Sequence, residues 1–245
     1  MIIFRLAQQK GLKYGYLVLW HYSSSHHIND YMLGLAIHTT SPQLGLMLAT
    51  ITLDAENSIE KHQVWDLGRE VSSQLHVKLI EFIAPHRWSD LSFIAVAKGP
   101  GGFTGTRIGV VAARTFAQQL EIPLFGVSTL AALAVSRAPD AETTSRDIAV
   151  TMPAKRAAVF GGIYRFSNAG DLTVVLEDAV IPEAEWHQKL AHWERPLQQV
   201  RTEVGEGIAD SASGVMRLAR SQWERGDRPD WSSVMPFYGQ HPVTR

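Results

Sequence analysis

Short apolar runs alternate with turn-forming residues along the chain beyond residue 32. Leu33–Thr40 is an apolar run that leads into the turn formers Ser41-Pro42-Gln43, and Leu44–Leu53 returns as a second run. Runs of this length, bounded by Pro, Ser and Gly, predict β-strands. With a third candidate strand at Glu60–Leu67, the pattern predicts an antiparallel meander.

The hydrophobic period then changes from that of strands to that of helices. In Glu70–Ala84, apolar residues recur on one helical face until Pro85, which ends the predicted helix. Ser92–Ala97 is a short apolar run of the kind found in central strands. Further elements are predicted at Thr106–Leu120 (helix), Pro123–Val127 (strand) and Ser128–Val135 (helix, with Ser128 as its N-cap). This alternation indicates a largely parallel α/β unit.

A polar stretch that contains Pro, Ala138–Asp147, is the best candidate for a domain boundary. The elements predicted beyond it are strands at Ile148–Met152, Ala157–Phe166 and Leu172–Val180, a hairpin turn at 168–171, and helices at Glu183–Trp193 and Ser211–Arg225. We therefore predict two lobes: a first lobe over residues 32–138 and a second, smaller lobe over residues 139–245.

Residues 1–31 show no periodicity that would join them to either lobe. Their apolar stretch, Tyr14–Trp20, is far shorter than the roughly 20 residues of a membrane-spanning helix. We expect an appendage that is dispensable for the fold. It is either a poorly ordered arm or a stretch upstream of a true start at Met32.

Composition narrows the function classes. With 45% hydrophobic and 19% charged residues, the chain has enough apolar material for a core, and its net charge of −1 argues against a strongly basic nucleic-acid binder. The chain has no cysteine, which excludes disulfides, thiolate metal sites and cysteine nucleophiles. None of its 10 histidines pairs at His-x-x-x-His spacing, so we predict no metal and no cofactor.

The most informative segment is a glycine-rich turn, KGPGGFTGTRIG, between the predicted strand Ser92–Ala97 and the following helix. Backbone N–H groups at a helix start can bind anions. However, the P-loop lysine is absent, and Thr104 stands where a dinucleotide-binding turn needs its third glycine. Two interpretations stay open: tight packing of the turn, or binding of a nucleotide or partner. The candidate residues are Gly99, Pro100, Gly101, Gly102, Phe103, Thr104, Gly105, Arg107 and Gly109.

This block resembles the Gly-Pro-Gly-Ser-Phe-Thr-Gly-x-Arg-Ile-Gly signature of the TsaB (YeaZ-type) proteins of tRNA threonylcarbamoyladenosine synthesis. Leu35–Thr40, Thr151–Tyr164 and Pro236–Val243 resemble other parts of that family, so the likeness covers roughly residues 33–243. It implies two actin/Hsp70-like (ASKHA, ribonuclease H-like) lobes with mixed sheets flanked by helices.

The resemblance also implies a function without catalytic residues of its own. Members of this family are non-catalytic, cytoplasmic partners of a TsaD-type paralogue, which modifies adenosine 37 of ANN-decoding tRNAs. A TsaE-type ATPase joins the pair, and tRNA is reached through the complex, away from any membrane. A homodimer of the free protein is a further expectation.

Two residues depart from the family pattern. His38 stands where Asp is usual, and a neutral imidazole is a poor substitute for a Mg²⁺ ligand. Gly102 stands where Ser is usual. Both changes weaken the main alternative, an ASKHA-type nucleotide hydrolase or phosphotransferase. An M22-type peptidase is a weaker alternative still, because it needs a metal pair or an activated nucleophile.

The two helices of the first lobe carry a second apolar row beside the one that faces the sheet. In Glu70–Ala84 this row contains Val77 and Ile80, and in Thr106–Leu120 it contains Val110 and Phe116. Surplus apolar rows mark partner surfaces. We expect these four residues to bind the partner, with burial against the second lobe as the alternative.

Overall fold

In the part of the chain that the structure describes, two mixed β-sheets and five α-helices form the fold. The computed structural model describes residues 31–52, 58–137, 146–166, 172–203 and 205–239. The strands are β1 (Tyr31–His38), β2 (Gln43–Thr52), β3 (Ser58–Asp66), β4 (Leu91–Ala97), β5 (Leu124–Val127), β6 (Asp147–Pro153), β7 (Ala158–Phe166), β8 (Leu172–Pro182) and β9 (Leu197–Arg201). The helices are α1 (Val71–Ile83), α2 (Phe103–Leu120), α3 (Thr129–Arg137), α4 (Glu183–Ala191) and α5 (Ala212–Glu224). The predicted α/β class, with mixed sheets flanked by helices, is confirmed.

The two sheets repeat one topology. The first has the strand order β3-β2-β1-β4-β5, in which β1, β2 and β3 form the predicted antiparallel meander and β4 runs parallel to β1. The second has the order β8-β7-β6-β9, again a meander with a parallel strand beside its first member. Strand β9 escaped prediction because only one of its five residues, Val200, is buried.

Helix α3 lies between the two sheets. All seven residues from Thr129 to Val135 are buried. One side of the helix contributes Ala132 to the core of the first sheet, and another contributes Leu130 and Leu133 to the core of the second. Such all-round burial explains why the segment is apolar without a polar stripe. Helices α1 and α2 cover the outer face of the first sheet, and α4 covers the far face of the second.

Helix α5 returns from the C-terminal half of the chain to the first sheet. It contacts α3 and strands β1, β2 and β4. A Cβ atom on Gly214 would collide with the backbone of Ala132, so the glycine allows α5 and α3 to approach at backbone distance. The division at residues 138/139 stays a prediction, and the described elements show that α5 crosses it.

Some predicted features lie outside the described residues: positions 1–30 of the appendage, most of the boundary stretch, and the hairpin turn between β7 and β8. Across the described ranges, no helix is both long and apolar enough to cross a membrane.

Candidate functional site

The glycine-rich turn joins β4 to α2 and lies against the end of β1. The Gly102 amide donates a hydrogen bond to the Thr40 carbonyl at 2.7 Å, and the Thr39 hydroxyl donates to the Gly105 carbonyl at 2.8 Å. Helix α2 begins at Phe103, one turn earlier than the sequence predicts. The turn and the first helical residues are therefore fixed to the chain that leaves β1.

Three glycines at intervals of four residues make this close approach possible. Added Cβ atoms on Gly101, Gly105 and Gly109 would collide with Thr39 or Thr40. Gly105 and Gly109 lie on one face of α2 and Gly101 just precedes the helix, so the missing side chains leave a groove for the backbone after β1. For these positions the packing interpretation has a direct physical cause. Gly99 and the buried Pro100 form the turn just before these three glycines, and Gly99 has a positive φ of 104°.

The remaining part of the turn lines a cleft of about 1200 Å³ between the two lobes. Gly102, Phe103 and Thr104 form its wall at the start of α2. The second lobe contributes the segment 152–156, Phe160 and the residues around Glu203, and Tyr238 closes one side. Arg107 is exposed and does not line the cleft. The turn thus serves packing on one side and borders a cavity on the other.

His38, at the position where the family resemblance places Asp, is completely buried. Neither ring nitrogen has a hydrogen-bond partner, and burial lowers the pKa of the imidazole to about 3. The ring is therefore neutral and does not line the cleft. In the described part of the chain, no three His, Asp or Glu side chains are grouped to hold a metal ion.

A half-buried polar cluster joins the start of α3 to the second sheet. Asp178 on β8 accepts hydrogen bonds from the Ser128 and Tyr164 hydroxyls, and burial raises the pKa of the Asp178 carboxyl. Ser128 also accepts from the Ala131 amide at 3.1 Å, which confirms its predicted role as a helix cap. Sequence reasoning missed the cluster, although a lone Asp in the apolar run LTVVLEDAVIP is the signal that could have indicated it.

Three of the four predicted partner residues reach the outer surface of α1 and α2. Val77 is 45% exposed and Ile80 is 63% exposed. Phe116 is half-buried and stacks on Trp88 with ring centroids 4.5 Å apart. The prediction for Val110 is wrong, because this residue is fully buried and its neighbour Val111 is 54% exposed. The inner face of α2 consists mainly of small residues, so a prediction based on the larger apolar side chains chose the wrong face of the helix.

Comparison with known proteins shows that this chain matches a protein family. The family model described as TsaD, tRNA N6-adenosine threonylcarbamoyltransferase, matches residues 78–204, just over half of the chain. The chain belongs to this family. Within it, the chain is of the TsaB (YeaZ) type, as the glycine-rich signature indicated.

Curated relatives agree with this assignment. The tRNA threonylcarbamoyladenosine biosynthesis protein TsaB of Bacillus subtilis is 40% identical over 108 residues, 44% of this chain and 45% of the relative. The protein of the same name from Buchnera aphidicola is 31% identical over 115 residues, 44% of this chain and 54% of the relative. The chain thus spans about half the length of the curated relatives it matches.

A solved structure supports the fold. YeaZ from Pseudomonas aeruginosa superposes with a TM-score of 0.64 at 21% identity, and the match covers 84% of this chain and 99% of that one. At this identity the likeness concerns the fold alone.

The glycine groove predicts different costs for two neighbouring substitutions. Gly105→Ala should lower the free energy of unfolding by about 2–4 kcal/mol, because its Cβ would collide with the Thr39 carbonyl. Gly102→Ala is the matched control, since its Cβ would lie 3.5 Å from the nearest atom, Thr40 O. Urea denaturation of both variants measures the difference. Equal stabilities would contradict the packing role of Gly105.

The buried imidazole predicts that acid weakens the fold. The unfolded state binds a proton near pH 6.5 and the folded state only near pH 3, so stability is full above pH 6.5 and falls as pH decreases. Between pH 7.5 and pH 5 this one group should cost about 2 kcal/mol. Both His38→Leu and His38→Gln should flatten the dependence of Tm on pH over this range. A slope as steep as that of the parent chain in both variants would assign the effect elsewhere.

Proposed function

We propose that this chain is a non-catalytic subunit in the synthesis of threonylcarbamoyladenosine in tRNA. It pairs with a TsaD-type paralogue, and a TsaE-type ATPase completes the machinery. The names of the curated relatives support the pathway, because each is called a tRNA threonylcarbamoyladenosine biosynthesis protein. Contact with tRNA is then indirect, through the complex.

The observation that carries the pairing is the apolar outer surface of α1 and α2. Val77 and Ile80 lie one turn apart on α1, and Val111 is exposed on α2 beside it. We call these three residues the outer row. Clusters of exposed aliphatic side chains on adjacent helices are typical of interaction sites. The Phe116 ring, which stacks on Trp88, also lies 6.0 Å from the His76 ring of α1 and so marks the contact between the two helices.

A related helical surface is the partner that suits this row. The row is uncharged and lies on two helices whose inner faces are fixed to the sheet by Leu75, Leu79 and Ala113. A partner with a similar pair of helices would bury aliphatic side chains against it as a helical bundle. The family resemblance indicates the same arrangement. A second copy of the chain is the competing occupant, and gel filtration of the free protein distinguishes it.

Charge substitutions in the outer row should abolish pairing and leave the monomer folded. Ile80→Glu and Val111→Glu each force an unpaired carboxylate into a packed interface, which we expect to weaken TsaD binding at least about tenfold. Isothermal titration calorimetry with the TsaD-type protein measures the affinity. Gln188→Glu adds the same charge at an exposed position of α4, which covers the far face of the second sheet, and should bind normally.

The adjacent Val110→Glu variant tests the assignment of faces. Val110 is fully buried, so its substitution should unfold the chain, whereas Val111→Glu should keep the melting temperature of the parent. Normal TsaD binding by both outer-row variants would place the interface elsewhere. If both unfolded, the row would belong to the core.

A second candidate function, nucleotide hydrolysis or phosphotransfer, is favoured by the cleft. The cavity has room for a nucleotide, and the start of α2 lines it. Against it stands His38, which offers no carboxylate at the position where an actin-like ATPase places one.

We therefore expect no steady ATP turnover by the purified chain. A phosphate-release assay measures this, with the cleft variant Thr104→Lys as the comparison. Turnover that co-purifies with the parent chain and disappears in a folded Thr104→Lys protein would favour the enzyme over the subunit.

A further inference from the structure

We propose that the segment Val234–Gly239 is a strap that holds the two lobes together across the cleft, and that detachment of its C-terminal end opens the cleft. The segment runs from the first sheet, over the glycine-rich turn, to the second sheet. It contacts both lobes at the side of the cleft that Tyr238 closes.

The beginning of the strap is fixed firmly to the first lobe. Val234 is 5% exposed and packs against Gly126 of β5, where an added Cβ would lie 2.8 Å from the Val234 side chain. Three residues later, the Phe237 amide donates a hydrogen bond to the Lys98 carbonyl at 2.7 Å. A Cβ on Gly99 would collide with the Phe237 carbonyl, so the glycine-rich turn also accommodates the strap.

The end of the strap reaches the cleft and the second lobe through weaker contacts. The Tyr238 ring lies 4.5 Å from the ring of Phe103, which itself is 42% exposed at the start of α2. Gly239 adopts a φ of 61° and lies against Phe160 and Val180, so closely that an added Cβ would come within 2.9 Å of each. Gly239 itself is exposed and contacts the second lobe by packing on Phe160 and Val180, whereas Phe237 is attached to the first lobe by a hydrogen bond.

The polar cluster of Ser128, Tyr164 and Asp178 also joins the lobes, beside the strap, since Asp178 is two residues from Val180 on β8. This cluster joins α3 to β7 and β8 and does not line the cleft. The lobes are joined at several places: at helix α3 and this cluster, at the Ser41 hydroxyl, which accepts a hydrogen bond from the Ile208 amide at 3.4 Å, and at the strap, whose Gly239 end is exposed. Because local opening begins where contacts are few and exposed, the strap end is the attachment that releases first.

Reactivity of a thiol inside the cleft tests this proposal in the full-length chain. The chain has no cysteine, so one introduced thiol gives an unambiguous signal. Thr202 lines the cleft and is 7% exposed, and Thr202→Cys changes the side-chain volume little. The rate of its reaction with a small disulfide reagent measures access to the cleft.

Two strap substitutions should raise that rate. Tyr238→Ala removes the ring contact with Phe103, and Gly239→Val drives the strap away from Phe160 and Val180. We expect each to accelerate the reaction by about tenfold, the order by which loss of one aromatic contact shifts a local opening equilibrium. Met235→Ala is the matched control, because Met235 lies on the same strap, is 60% exposed and contacts Arg114 of the first lobe. It should leave the rate unchanged.

A second reporter, Ala149→Cys, separates cleft opening from general loss of stability. Ala149 is buried on the far face of the second sheet, away from the cleft. If the strap variants accelerate the Thr202→Cys thiol alone, the strap holds the cleft. If they accelerate both thiols equally, or leave the Thr202→Cys thiol at the parent rate, the proposal is overturned.

Discussion

The burial of helix α3 between two sheets is the constraint on which the rest of this structure depends. Its residues from Thr129 to Val135 must satisfy both cores at once, which leaves them small or aliphatic and removes any polar face. Gly214 then allows α5 to pack beside Ala132 and complete the same layer. This shared layer of α3 and α5 fixes where the two lobes lie, and with them the cleft, the glycine-rich turn and the partner surface.

The glycine-rich turn illustrates how one motif can answer several geometric demands. Gly101, Gly105 and Gly109 admit the backbone that leaves β1, whereas Gly99 admits the Phe237 carbonyl. Gly102 is different, since an added Cβ would lie at ordinary van der Waals distance, 3.5 Å, from the Thr40 carbonyl oxygen. This is the position at which the family resemblance has Ser. The spacing of the block therefore reflects the approach of two separate backbone segments, and Gly102 is free to vary.

Sequence patterns predicted the elements whose exposed and buried faces differ strongly in side-chain size. Helix α1 was placed correctly because Val71, Leu75 and Leu79 alternate with polar residues. For α2 the prediction chose the wrong face. The buried side is largely Gly and Ala, and the exposed Val111 is as hydrophobic as the buried Val110. Contacts between distant segments, such as Ser128 with Asp178, and the cleft itself depend on tertiary arrangement, which no local pattern encodes.

The return of α5 to the first sheet has a consequence for biosynthesis. Until Ala212–Glu224 has left the ribosome, the inner face of that sheet, with Phe93 and Phe125, lacks its main covering helix, because α3 contributes only Ala132 to this core. Because α5 follows all strands of the second sheet along the chain, the first lobe cannot complete its folding before the second sheet has been synthesised. Its apolar face would be open to chaperones throughout synthesis of the second lobe, and premature termination before α5 would release a chain prone to aggregate.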